Sequence, residues 1–392
     1  MPSFIDMLMV TLLVFINILI VRTLAKNNKL LAPYIFFYVT ITIELVGPIF
    51  YYYILDGTAY RTFTSETLFI YYFVAFFTSI VILTQLNLKM KLNYKNFTFL
   101  KLKDGKNIKK IYIALVIAIV VYYLLRYINQ FVLVKALFGN YEMRLRSDTT
   151  GLIPHWFSVS SIFYFIIPSF YFLYIWHIKS KFAQFVLLSL IGLLTLIDGN
   201  RGVFVYLMLF VFIYVYKLKI NKYIVLGAGI ALYSYYLFAA GTPNMLERLL
   251  FSALRRFFVT QGACFINRIQ MVANGYDFTK TLNISDDVFV YMYGYGGGAA
   301  PTVFWGDVYV NYGLVITLTI IVLTNWILYR ISNFVQKNYN NNLFVYWCYC
   351  SSVYLLCMSG LTLELLVRLL LAFLNCVIIT ATAKNGLIKA DG

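Results

Sequence analysis

The turn Asp198-Gly-Asn-Arg-Gly202 sets an acid and an arginine three residues apart, in the middle of an apolar stretch from Phe182 to Tyr216. Each arm of this hairpin is about 16 residues, or ~25 Å of helix, so the turn would sit slightly below a membrane surface. An arginine at that depth needs a polar cavity or a partner. Gly199 and Gly202 allow a tight turn and close approach of a ligand. Two readings stand: Arg201 and Asp198 face a substrate, or they close the turn as an internal ion pair. A second hairpin repeats the theme. Beyond Ser359-Gly360, Glu364 and Arg368 fall at i and i+4 on one helix face, acid before base. Such a pair within an apolar helix is either a functional site or a structural link between helices.

More arginines lie in, or at the edge of, the segments between apolar runs: Arg126, Arg144, Arg146, Arg248, Arg255, Arg256 and Arg268. Arginine presents a planar fork that matches carboxylates and phosphates, whereas lysine is closer to a point charge. Several arginines on one side of a protein therefore point to an anionic, phosphate-bearing ligand. Three of them share a helical pattern over 245–258, where Arg248, Arg255 and Arg256 occupy one face. Leu246, Leu249, Leu250, Ala253 and Phe257 cover much of the rest, which predicts an amphipathic helix in the headgroup layer.

The same segments supply carboxylates that could act as a general base: Glu142, Asp148, Glu247, Asp277, Asp286, Asp287 and Asp307, with Asp307 and Glu247 foremost. His155 is a further candidate base, or a boundary histidine packed beside Trp156. Asp286-Asp287 alone falls short of a metal site, and no HExxH or His/Cys cluster is present, so no bound metal is expected. Gly294-Tyr-Gly-Gly-Gly298 has the wrong spacing and surroundings for a dinucleotide fingerprint. With Tyr291, Tyr293 and Tyr295 it forms an aromatic loop that suits sugar faces or a membrane-interface belt. No cofactor is implied.

The elements that must position these residues are apolar. The chain has 392 residues, 62% hydrophobic and 12% charged, with mean hydropathy +0.79. That is the composition of a membrane protein, and no polar block is long enough to fold separately. Runs long enough to cross the bilayer, given roughly 20 residues per crossing, occur at 3–21, 30–55, 67–86, 109–127, 154–176, 182–198, 202–217, 223–240, 313–329, 343–359 and 361–383. The first run lacks a basic region before it and reads as a retained span. Of the five cysteines, four lie in the last apolar runs and none forms a CxxC pair, so they read as buried thiols.

The net charge of +17 has the placement of a topology signal. Lys-rich loops alternate with the others, and the loop after the third run alone holds eight lysines from Lys89 to Lys110. By the positive-inside rule those loops face the cytoplasm, with the N-terminus outside and the C-terminus inside. Eighteen of the 20 lysines then fall on the cytoplasmic side and ten of the 12 arginines on or near the outer side. This arrangement excludes nucleic acid as the partner; membrane lipid is the surrounding medium. The expected fold is a single all-α integral membrane domain over 1–392, with about eleven transmembrane helices. Two long outer loops, 128–153 and 241–312, complete it, the second carrying the amphipathic interfacial helix.

Gly199-Asn-Arg-Gly202 between two mid-chain runs, and Asp307-Val-Tyr-Val-Asn-Tyr-Gly313 leading into a later one, resemble two motifs of the bacterial oligosaccharide repeat-unit polymerases, the O-antigen or Wzy-type family. Tyr141-Glu-Met-Arg144 is similar to that family's arginine-bearing first long loop. Asp307 stands where many members have Glu, and the family's Arg-x10-Gly pattern is absent. The resemblance covers most of the chain through short motifs. It implies a glycosyltransferase in the bacterial inner membrane that joins undecaprenyl-pyrophosphate-linked repeat units into O-antigen or capsular polysaccharide on the outer face. It further implies a chain-length regulator protein as partner. Arg201, Arg255, Arg256 and Arg368, with Asp198, Glu364, Arg144 and Arg248, would then bind the lipid-linked substrate, and Asp307 or Glu247 would deprotonate the acceptor.

Three other functions fit parts of the pattern. An O-antigen ligase would share the fold and the outer arginines. A lipid-linked oligosaccharide flippase should carry charge through the midplane and show repeated halves. Here internal charge lies near the outer ends, Glu44 excepted, and no repeat is visible. A non-catalytic partner in chain-length control would not need the Arg-rich loop.

Overall fold

The computed structural model describes residues 4–26, 32–50, 63–87, 105–128, 167–173, 178–196, 207, 210–211, 260–281, 283–296, 300, 302–338, 343–358, 360 and 363–382. These residues are mostly helical, with no β-strand among them. In chain order the helices are α1 (Phe4–Lys26), α2 (Ala32–Phe50), α3 (Ser65–Asn87), α4 (Gly105–Tyr127), α5 (Ile167–Leu173), α6 (Lys181–Leu196), α7 (Thr260–Ala273), α8 (Ile284–Tyr293), α9 (Trp305–Asn338), α10 (Leu343–Met358) and α11 (Leu363–Thr382). A 3-10 turn, Phe278–Lys280, lies between α7 and α8. Most of these helices fall on the apolar runs. The expected run at 223–240 and the expected interfacial helix at 245–258 lie outside the described residues, as does the loop 129–153.

Among the described residues, two helices, Ser65–Asn87 and Trp305–Gln336 within α9, are long and apolar enough to cross a membrane. Much of the second is exposed, including Val315, Ile316, Leu323 and Ile327. α9 departs from its predicted bounds. It begins at Trp305 rather than Gly313 and runs to Asn338 rather than Tyr329. Gly313 explains the first difference, because its φ of 77° and ψ of −177° break the helical path between two helical stretches. That conformation is essentially restricted to glycine. The motif residues 307–312 are therefore a helical turn in front of the span.

The chain divides into two compact units whose segments alternate along the sequence. The first takes 1–92, 219–336 and 356–362. In it α1 packs on α2 and α3, and α7 packs on both α2 and α3. Polar side chains tie these helices together: Tyr38 donates to Asn17 Oδ1 at 2.9 Å, and the Tyr71 hydroxyl to the Glu44 carbonyl at 3.1 Å. At the α7 contact, a Cβ on Gly262 would collide with the Pro48 side chain and the Glu44 carbonyl oxygen. Only glycine lets α7 come so close.

The second unit takes 93–218, 337–355 and 363–392. There α4 packs on α11 and α5 on α6. Tyr112 donates to Asn375 at 2.7 Å, and Asn375 to Ser169 at 3.1 Å, linking α4, α11 and α5. Phe172, Phe210 and Trp347 form an aromatic core with centroids 5.0–5.5 Å apart.

Candidate functional site

The described part of the second long loop is a folded support for Asp307. Helix α7 reads Ala263-Cys-Phe-Ile-Asn-Arg-Ile-Gln-Met271, an apolar pattern broken by Asn267, Arg268 and Gln270. Its apolar positions join Val288 of α8, Phe278 and Ala300 in a small core that includes Cys264 and Met271. Asn283 caps α8 by accepting from the Ser285 N–H at 3.1 Å, and Gly294 ends it in the left-handed conformation. The backbone N–H of Ala300 returns to the Ser285 carbonyl at 2.8 Å. The loop between α7 and α9 thus closes on itself.

Arg268 occupies the centre of this fold with 0% exposure. Its Nε donates to Asp307 Oδ1 at 2.9 Å. Nη1 donates to the carbonyls of Cys264 at 3.0 Å and Ala300 at 2.9 Å, and Nη2 to Ser285 Oγ at 3.1 Å. One guanidinium therefore joins α7, α8, the 300–304 segment and the start of α9. Burying an arginine is costly unless its charge is paired and its N–H groups are bonded, and here both conditions are met. Asp307 is 2% exposed. Its other oxygen lies against Gly360, where a Cβ would collide with it. Gly306 allows a second close approach, since a Cβ there would meet the Arg268 Cδ at 3.0 Å. The Ser359-Gly360 turn anticipated from sequence thus has one of its residues, Gly360, packed on the motif acid.

Of the residues chosen from sequence, Asp307 lies in the first unit and Arg368 in the second, where it is half-buried on α11. Glu364 sits one turn before Arg368 in the same helix; its side chain is outside the described residues. Arg201, Asp198, Arg144, Glu247, Arg248, Arg255 and Arg256 also lie outside them. Arg268 was visible only as one of many arginines between apolar runs. The apolar residues around it, 263–266, Ile269 and Met271, were the signal that could have set it apart. Ser285 carried no signal at all.

Glu44 on α2 is a second buried ionisable side chain, 1% exposed. Among the described residues, neither of its carboxyl oxygens has a hydrogen-bond partner. Among the described residues, no three His, Cys, Asp or Glu side chains gather as a metal site.

The other face of α8 is polar and aromatic. The Tyr276 hydroxyl donates to Asp287 Oδ2 at 3.0 Å and the Thr281 hydroxyl to the same oxygen at 2.8 Å. That bond raises the Tyr276 phenol above its ordinary range, since ionisation would break it. Partial burial, and to a lesser degree the neighbouring Asp287, hold the Asp286 carboxyl above its usual value against the opposing Asn283 amide.

No family model, curated protein or solved structure matches this chain.

Proposed function

We propose that the protein is a polytopic inner-membrane glycosyltransferase that polymerises undecaprenyl-pyrophosphate-linked oligosaccharide repeat units on the outer face. The observation that carries this reading is the construction of the Asp307–Gly313 segment. Its acidic position is pinned by a fully buried arginine of the long loop, and its glycine position adopts a φ of 77° before the long apolar helix. Two of the four positions that make the segment resemble the polymerase motif, Asp307 and Gly313, thus have a demanding structural role. The membrane reading is supported by apolar side chains exposed on α4, α6, α9 and α11, including Leu125, Phe182, Val315 and Phe373. Exposed apolar faces of that extent are unfavourable in water and neutral in lipid.

In this reading the acceptor's sugar hydroxyl attacks the anomeric carbon of the donor glycan. The bond from that carbon to the pyrophosphate oxygen breaks as the new glycosidic bond forms. The hydroxyl proton passes to a carboxylate. Arg201, Arg255, Arg256 and Arg368 offset the charge growing on the departing lipid pyrophosphate, an effect that strengthens where water is scarce. Asp307 is closed in by Arg268 and Gly360. It therefore acts as a positioning residue, and Glu247 takes the proton.

A gel of surface polysaccharide from a deletion strain tests the proposal. Loss of the gene should leave core plus a single repeat unit, and Arg201→Ala should reproduce that pattern while the protein still inserts. Complete absence of attached glycan in the deletion would mark a ligase or a flippase. A normal ladder would exclude all three.

A further inference from the structure

We infer that the exposed face of α8, with the loop before it and the turn after it, is a saccharide-binding platform that holds uncharged sugar rings. The inference deepens the function proposed above and rests on it for the identity of the glycan.

The face is built from one short helix. Asp286, Val290 and Tyr293 form one exposed stripe, and half-buried Asp287 with exposed Tyr291 the next. Tyr276 and Tyr295 flank them. Tyr276, Tyr291 and Tyr293 are each 44% exposed and Tyr295 63%. Two of these rings are tethered by their hydroxyls. Tyr276 donates to Asp287, and the Tyr291 oxygen accepts from the Asn274 amide at 3.1 Å. Asn274 is itself held through its Oδ1 by Gln270 at 3.0 Å. Tyr293 and Tyr295 pack with Phe289, at centroid distances of 4.7 and 5.6 Å. The rings are thus fixed before any ligand arrives, so little side-chain entropy remains to be lost on binding.

Their chemistry selects the ligand. The negative face of a phenol ring attracts the weakly positive C–H face of a pyranose. Carboxylates beside it accept from sugar hydroxyls in charge-assisted bonds. Charge argues against the competing role of a membrane-interface belt. Residues 274–296 carry Asp277, Asp286 and Asp287 against Lys280 alone, in a chain of net charge +17. A locally negative surface repels anionic headgroups, and it repels pyrophosphate as well. It therefore receives the sugars, while the arginines elsewhere in the outer loops receive the phosphates. Size argues against a protein partner. α8 has 10 residues, about 15 Å of helix, well short of the roughly 20–30 residues per side in a stable protein interface.

The inward face of the same helix supplies rigidity. Ser285 accepts from Arg268, and Val288 lies in the core with Phe278 and Met271. α8 thus carries the tyrosine face on one side and, through Ser285, bonds to Arg268 on the other.

The test uses the full-length protein in nanodiscs of zwitterionic lipid. The probe is the repeat-unit oligosaccharide cut from the host cell's surface polysaccharide, free of lipid and pyrophosphate. Saturation-transfer NMR should show contact at the ring C–H protons. Tyr291→Ala and Tyr295→Ala should each weaken affinity roughly fivefold, with an unchanged thermal midpoint, and Tyr295→Phe should keep it. Wild-type protein that gives no transfer, or alanine variants that bind as well as wild type, would overturn the platform. So would variants that lose binding to phosphatidylglycerol vesicles instead of to the oligosaccharide. Saccharide binding in a protein whose deletion leaves a normal polymer ladder would overturn the proposed polymerase while leaving the platform standing. The reverse pair of results would do the opposite.

Discussion

Arg268 and Asp307, 39 residues apart in sequence, form a buried ion pair at 2.9 Å that joins α7 to the start of α9. Removing one partner leaves the other charge buried and unpaired, which costs about 3–5 kcal/mol. Arg268→Met and Asp307→Leu should therefore each lower the thermal midpoint sharply in detergent. The double variant should recover a substantial part of the loss. Equal, additive losses would mean that the two residues do not act as a pair.

Gly262 is the contact point of α7 with α2. A methyl group there has no room against Pro48 and the Glu44 backbone. Gly262→Ala should destabilise the protein by about 1–3 kcal/mol through overpacking. Thermal unfolding of the purified variant measures this, and an unchanged midpoint would show that α7 does not pack as described.

Gly313 tests backbone conformation without crowding, since a Cβ there meets nothing within 4 Å. The cost of Gly313→Ala comes from its positive φ alone, about 1–3 kcal/mol. The break also aims the Asp307 turn relative to the span, so polymer length should shorten in complemented cells even where the protein accumulates normally.

Asp286 gives a pH signature. Its carboxyl is held above its ordinary value by partial burial and, to a lesser degree, by Asp287, against the Asn283 amide, so the folded state binds the proton more tightly than the unfolded chain. The stability tied to that proton is complete below the unfolded value, about 3.9, and is lost as pH rises through the folded value. Asp286→Asn should unfold at a higher temperature than wild type at pH 7. The difference should close as the pH approaches about 4.

Local pattern made much of the helix order legible. The apolar runs mark most of the described helices, because length and hydropathy need no tertiary information. Asp307 and Gly313 were legible through the spacing of their motif. Arg268 was seen but not placed, since its partner is distant in sequence and its role depends on packing. The helix 260–273 was read as part of a polar loop, because Asn267, Arg268 and Gln270 interrupt its apolar face. Those side chains are satisfied inside the fold: Asn267 donates to the Ala263 carbonyl at 2.8 Å, and Gln270 accepts from the Thr64 N–H at 3.0 Å. Polar residues that find partners within a helical core look like loop residues until the partners are known. The bounds of α9 were missed for a related reason: a glycine that breaks the helix was taken for its start.

The most direct measurement is polymerisation by the purified protein in nanodiscs, supplied only with undecaprenyl-pyrophosphate-linked repeat unit. The proposed function predicts a ladder of lipid-linked products of two or more units, with release of undecaprenyl pyrophosphate, and its loss in Arg201→Ala. Repeat unit that remains single, with no undecaprenyl pyrophosphate released by a folded protein, would contradict it.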